Sequence, residues 1–387
     1  MYDWVIVGGG IHGVTIATFL FQLAGVDNSK LLIVDPNKEL LLNWTQRALG
    51  VGMKALRSSL VHHIDADPFS LKKFANTKNG RAYGKLRGRY GHPDLELFDA
   101  HCRRVIEENE LKSCHMIDHV VSIKQGVGEY SKEVILKKRS VYTKNVVLAL
   151  GNPEPMSPKW ARELDSSGKI VFHAFDSNWA EVKFEGANIA IIGGGLTAAQ
   201  VALKSVKEKA ARVKIFSRHL LKKSQFDSDP GWMGPKYRSS FEKLKCPIIK
   251  RKRITKARHR GSITPEVYRA LNKSIRNKHI EFSEHFNKSD TEIPTQDNKC
   301  PYCLDEFDII IFATGFESSV PSDKLVNQIS KEFKLELSPC GTPMLKDSVK
   351  WGEGVYTSGA LAEMRIGPIS RNIPGARSVA TEIVNEC

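Results

Sequence analysis

Cysteine is scarce in this chain, and no long apolar run crosses it. Seven cysteines among 387 residues, one of them the terminal Cys387, form an odd and sparse set, unlike the even frameworks of secreted disulfide-rich domains. Reduced thiols are expected. The longest apolar stretch near the amino terminus is broken by Gly8, Gly9, Gly10, His12 and Gly13 and has no basic segment ahead of it, so it reads as neither a signal peptide nor a membrane span. A cytoplasmic protein with no transmembrane segment is predicted. Acidic residues are also few, 43 against 58 Lys and Arg, for a net charge of +15. The deficit is local: residues 236–278 hold 15 Lys and Arg against only Glu242 and Glu266. Such a stretch suits anionic cofactor phosphates, an acidic protein partner or a membrane surface, or is a solvated basic face. Nucleic acid is set aside, because no aromatic interleaving or nucleic-acid module accompanies it.

What is present is ordinary for a globular chain of two domains, 41% hydrophobic and 26% charged. Asp3 to Val7 reads as a short buried strand, followed at once by Gly8-Gly9-Gly10-Ile11-His12-Gly13 and an apolar helix to about Leu23. In this context Gly8 permits a tight turn, Gly10 lets the backbone approach a pyrophosphate, and Gly13 lets the helix pack closely on the strand. The phosphates then lie at a helix N-terminus, where unpaired N–H groups favour anions. A second strand, Leu31 to Val34, ends in Asp35, where a carboxylate holds a ribose diol. The first site is read as an FAD site.

The arrangement recurs at Asn188 to Ile192, Gly193-Gly194-Gly195-Leu196-Thr197-Ala198, a helix to about Lys207 and a strand Val213 to Phe216. Here the strand ends in Ser217-Arg218-His219 rather than in an acid. Arg218 stands where a guanidinium would meet a 2′-phosphate, so NADPH is favoured over NADH.

Two further strands are short, Val146 to Leu150, ending in Ala149-Leu150-Gly151, and Asp308 to Ala313, ending in Ala313-Thr314-Gly315. They are read as crossings between nested domains, the small side chains allowing close return to the flavin-binding core. A last strand, Gly354 to Ser358, leads through Gly359 and Gly367-Pro368 to a helix from about Pro374, and Val120 to Tyr142 reads as a hairpin or small meander. The predicted fold is α/β, with two Rossmann-like dinucleotide-binding domains. An NADP domain over 169–299 is inserted in a discontinuous FAD domain made of 1–168 and 300–387.

On these motifs the chain resembles the two-dinucleotide-binding flavoproteins, and within them the flavin-dependent monooxygenases that include the lysine and ornithine N-hydroxylases. The subfamily resemblance rests on Met53 to His63, followed by Asp67-Pro68-Phe69-Ser70, where N-hydroxylases run a segment along the flavin. Gln225-Phe226-Asp227, Asp229 to Trp232, and Gly367-Pro368 through Arg371-Asn372 are similar to features of uncharacterised relatives. Three departures stand out. Phe172-His173 and Trp179 do not reproduce the Baeyer–Villiger motif, Gly359-Ala360 lacks the usual acid, and Leu150 replaces a threonine. The resemblance implies an FAD-dependent NADPH oxidoreductase that oxygenates a small amine or similar nucleophile through a flavin hydroperoxide. Alternatives are an NADPH-dependent reductase of a disulfide, quinone or protein carrier, and a non-enzymatic redox sensor.

Under that resemblance His62 and His63 are candidate proton donors beside the flavin, since imidazole serves either role near neutral pH. Lys54 and Arg57 would balance an anionic reduced flavin or bind a substrate carboxylate. Trp44 and Met53 would wall the ring system, with Trp179 and Trp232 as further aromatic candidates. Gly359, Gly367, Pro368, Asn372, Thr314 and Gly315 complete the expected cofactor contacts. No metal site is expected. Cys300-Pro301-Tyr302-Cys303 has the spacing of a dithiol, but Asp305 and Glu306 follow it with no activating helix, which argues for unreactive thiols.

Overall fold

The computed structural model describes residues 1–151, 154–164, 168–176, 182–284, 304–317 and 319–387. Strand Tyr2–Val7 has its last four residues buried, because it pairs in parallel with Leu31–Asp35 on one side and Ser140–Leu148 on the other. Where a strand is flanked in this way and covered on both faces it must be apolar, as Trp4 to Val7 are. His115–Ile117 extends the sheet beyond Leu31–Asp35, and Val355–Thr357 with Lys350–Gly352 closes its other side. The expected meander forms: Val120–Val127 pairs antiparallel with Tyr130–Leu136, which pairs antiparallel in turn with the start of Ser140–Leu148.

The second sheet is all parallel, in the order Glu281–Glu284, Arg212–Ser217, Asn188–Ile192, Ile309–Phe312, Ile170–His173. Its central strand shows the period of two plainly. Ile189 and Ile191 enter the core under helices Leu196–Lys207 and Pro265–Arg276, whereas Ala190 and Ile192 face Phe216, Phe307 and Phe312.

One boundary differs from expectation. Strand Ile309–Phe312, assigned to the second part of the FAD domain, lies inside the second sheet between Asn188–Ile192 and Ile170–His173. All four of its residues are buried, which suits a central position in either sheet, and a strand ending in small residues reads alike in both. The second domain's sheet therefore spans 170–312. Two linkers join it to the first and run side by side: Met156 N donates to Gly315 O at 2.9 Å, Glu317 N donates to Glu154 O at 2.9 Å, and Pro155 bridges Phe316 antiparallel.

Helix Ile11–Ala24 starts at Gly10 without a side-chain cap and ends at Gly25 in the left-handed region, φ 65°. The C-terminal helix Ile373–Val384 packs along it. No helix among the described residues is long and apolar enough to cross a membrane.

Candidate functional site

Both fingerprints open on one cleft of about 2230 Å³. At the first, Gly8 N donates to Val34 O at 2.8 Å. Gly8 has φ 113°, and a Cβ there would collide with the Ala149 carbonyl. A Cβ on Gly13 would overlap the Gly8 carbonyl oxygen, whereas one on Gly10 meets nothing within 4 Å. Gly13 thus serves helix-on-strand contact, and Gly10 leaves open room for a pyrophosphate at the uncapped helix. Asp35 is held in place rather than free. Its Oδ2 accepts from Gly9 N at 2.7 Å, and its Oδ1 accepts from Asn37 N at 2.8 Å and Asn37 Nδ2 at 2.7 Å. A carboxylate has about four acceptor directions, so one remains for a ribose hydroxyl. These residues fit FAD.

The second fingerprint repeats the design. Gly193 N donates to Phe216 O at 2.9 Å, and the Cβ it lacks would strike the Ala313 carbonyl. Ala313 thus packs on the second fingerprint, not on the flavin-binding core that the sequence reading assigned it to. Ala198, at the place of Gly13, is buried against its own sheet. The informative difference lies one residue away. Gly9 faces the Asp35 side chain, and its counterpart Gly194 faces Ser217 Oγ. A hydroxyl that donates to His219 O at 2.6 Å replaces the carboxylate, removing the negative charge that would repel a 2′-phosphate. Arg218 is exposed on the cleft wall and has no ion pair among the described residues. These residues fit NADPH.

Between the two sites runs the segment from Met53. Met53, Leu56, Arg57, Ser58 and His62 line the cleft, as does Trp44, packed at 5.3 Å on Phe98. Two candidates do not. Lys54 is exposed away from the cleft, contributing its carbonyl to Leu95 N at 3.0 Å. His63 is fully buried, its Nε2 3.2 Å from Pro68 O and its Nδ1 accepting from Asp65 N at 3.3 Å. Adjacent side chains diverge, so only one histidine can face the ring system. Thr314, Gly315, Gly359 and Asn372 line the cleft, but Gly367 and Pro368 lie behind it. The Cβ position of Gly367 meets the buried Trp232 ring, which is core rather than cofactor wall. Cys300, Cys303 and Trp179 lie outside the described residues.

Arg57 is neither a surface residue nor a free cation. Its guanidinium donates to the carbonyls of Gln225, Ser224 and Phe226 at 3.1, 2.9 and 2.6 Å, fastening the flavin-side segment to the second domain. Part of the basic stretch is also internal. Arg251 and Arg258, with Arg371, surround the fully buried Glu363, and Lys250 Nζ donates to Met364 O at 2.8 Å. Sequence reasoning missed this cluster, and it missed His12, whose Nδ1 pairs with Ser358 Oγ at 2.8 Å on the cleft wall. The polar residue within an otherwise small and apolar fingerprint was the available signal.

Burial governs the histidines. Desolvation first, then the Arg377 charge, holds His62 and His63 down at about 4, and desolvation with the His63 charge holds His101 at about 3. All three are neutral in the folded state, and His63 and His101 stack edge-on at 4.9 Å. Their unfolded value is about 6.5, so their neutral burial contributes fully above that pH, and the contribution is lost as pH falls from 6.5 towards 4 and below. Each of the two fully buried rings steepens the loss by about 1.4 kcal/mol per pH unit. Thermal denaturation from pH 7.5 to 5 should show a steep fall that His63→Asn with His101→Asn flattens. Parallel curves for the two proteins would refute this assignment.

The chain belongs to a family of two-site oxidoreductases: residues 2–321 match the family "Pyridine nucleotide-disulphide oxidoreductase". It is an FAD- and NADPH-dependent oxidoreductase. L-lysine N6-monooxygenase of Escherichia coli is 22% identical over an alignment of 387 positions, covering 87% of this chain and 85% of that enzyme. The uncharacterized oxidoreductase CzcO of Bacillus subtilis is 23% identical over 211 residues, 54% of this chain, and this match spans about half of that protein, 53%. In three dimensions the L-lysine 6-monooxygenase of Pseudomonas syringae superposes with a TM-score of 0.73 at 16% identity, covering 100% of this chain and 99% of that one.

Proposed function

We propose that this protein is a flavin monooxygenase that N-hydroxylates a small amine or similar nucleophile at the expense of NADPH. The observation that carries the proposal is the single cleft lined by both fingerprints and by Met53, Leu56, Arg57, Ser58 and His62. Likeness in fold to lysine monooxygenases supports it. Bound FAD supplies hydride acceptance from NADPH and electron delivery to oxygen. The chain's own work is placement. Gly8, Gly10 and Asp35 seat one nucleotide, and Gly193, Gly195 and Arg218 seat the other. Arg57 holds the flavin-side segment against the second domain. His62 presents a neutral ring, its Nδ1 3.1 Å from Ser59 Oγ, so its other nitrogen is available to donate or accept towards the cleft.

A reductase of a disulfide, quinone or protein carrier is the second reading, invited by the family description. Stopped-flow mixing separates the two. NADPH should reduce the bound flavin faster than NADH. The reduced protein, mixed with oxygen, should pass through a transient absorbing between the reduced and oxidised spectra. One-step reoxidation by oxygen, together with rapid reoxidation by a disulfide or quinone, would leave the reductase reading in its place.

A further inference from the structure

The second fingerprint carries an additional strand of backbone that the first lacks. Where Gly10 faces open space, the Cβ position of Gly195 lies 3.3 Å from the Cα of Gly261. A loop of residues 258–261 therefore crosses beside the N-terminus of helix Leu196–Lys207. Two glycines make that approach possible. Gly195 has no side chain to obstruct it, and Gly261 sits at φ 69° with its own Cβ position only 2.7 Å from His219 Nε2.

The loop is anchored from below at several points. His259 N donates to Asp227 O at 2.7 Å, Ser224 Oγ pairs with His259 Nδ1 at 2.8 Å, and Ser262 Oγ donates to His259 O at 2.5 Å. Arg57 Nη2 donates to Ser262 Oγ at 2.8 Å, and Arg258 is pinned to Glu363. Arg260 is the one residue of the loop left over. It is exposed on the cleft wall and has no hydrogen bond or ion pair among the described residues. An arginine that lines the same cleft, one residue from the Gly261 Cα that lies beside the helix N-terminus, can add charge-assisted bonds to an anion bound there.

We propose that Arg260 is a binding residue for the pyrophosphate of the nicotinamide nucleotide, working opposite the helix N-terminus, while Arg218 reads the 2′-phosphate. This rests on the second fingerprint being the NADPH site. The division of labour has a sharp consequence, because the pyrophosphate is common to NADP⁺ and NAD⁺ and the 2′-phosphate is not.

Calorimetric titration of the FAD-loaded protein with NADP⁺ and with NAD⁺ tests it without turnover. Arg260→Ala should weaken both nucleotides by a similar factor, about tenfold or more, the size expected for one charge-assisted contact. Arg218→Ala should weaken NADP⁺ alone. Gly261→Ala, which forces a Cβ towards His219, should reproduce the Arg260→Ala pattern, and unchanged flavin content in every variant shows that the fold is intact. Unchanged affinities in Arg260→Ala, or a loss confined to NADP⁺, would overturn the assignment while leaving the NADPH site standing. Failure of the wild-type protein to bind either nucleotide would remove both.

Discussion

Glu363→Gln should cost about 3–5 kcal/mol, the usual penalty for removing one partner of a buried ion cluster, and lower the melting temperature by about 5–10 °C. The carboxylate has 0% side-chain exposure and accepts from Arg258, Arg371 and Arg251. An amide keeps the shape but leaves three guanidinium groups around a neutral group, and the Arg258 side chain is itself only 7% exposed. Glu353→Gln is the control: its side chain is 91% exposed opposite Lys350, and such pairs contribute little. Burial opposes ionisation of Glu363, but Arg258 and Arg371 outweigh it and hold its pKa down at about 2. The contribution is thus complete above the ordinary carboxylate range and disappears as pH falls from about 4.3 through 2. The gap between wild type and variant should narrow in acid. A constant gap, or a loss no larger than that of Glu353→Gln, would show the cluster to be energetically idle.

Gly13→Ala should abolish FAD retention, weakening it more than about a hundredfold, and should destabilise the apoprotein as well. The added Cβ coincides with the Gly8 carbonyl oxygen and sits 3.3 Å from Ile6. Backbone cannot yield there without lifting helix Ile11–Ala24 off its strand. Gly10→Ala should behave differently: with nothing within 4 Å, the apoprotein should melt as wild type does, and only flavin affinity should fall. Flavin content after gel filtration and the apoprotein melting temperature, measured for both variants, separate a packing glycine from a ligand-approach glycine. Equal behaviour of the two would contradict these separate roles.

The nucleotide cradles were legible because their chemistry is local. Gly8, Gly10, Gly13 and Asp35 lie within one strand–helix–strand unit, and their geometry follows from the order in which they occur. The same holds for Gly193 to Arg218. What failed to show was everything set by contacts between distant segments. Strand Ile309–Phe312 has the composition of a central strand but nothing that says which sheet it enters. Arg57 and Glu363 are ordinary charged letters until the second domain is folded against them. His63 and His62 differ by one position, and it is His63 that packs inward, against Asp65, Pro68 and His101.

The paired linkers 154–156 and 314–317 have a mechanical consequence. The linkers are joined to each other by backbone hydrogen bonds, and Arg57 and the Glu363 cluster form separate ties between residues 224–258 and the first domain. The two nucleotide cradles are therefore tied together at separate places, by backbone hydrogen bonds at the linkers and by side chains at Arg57 and Glu363.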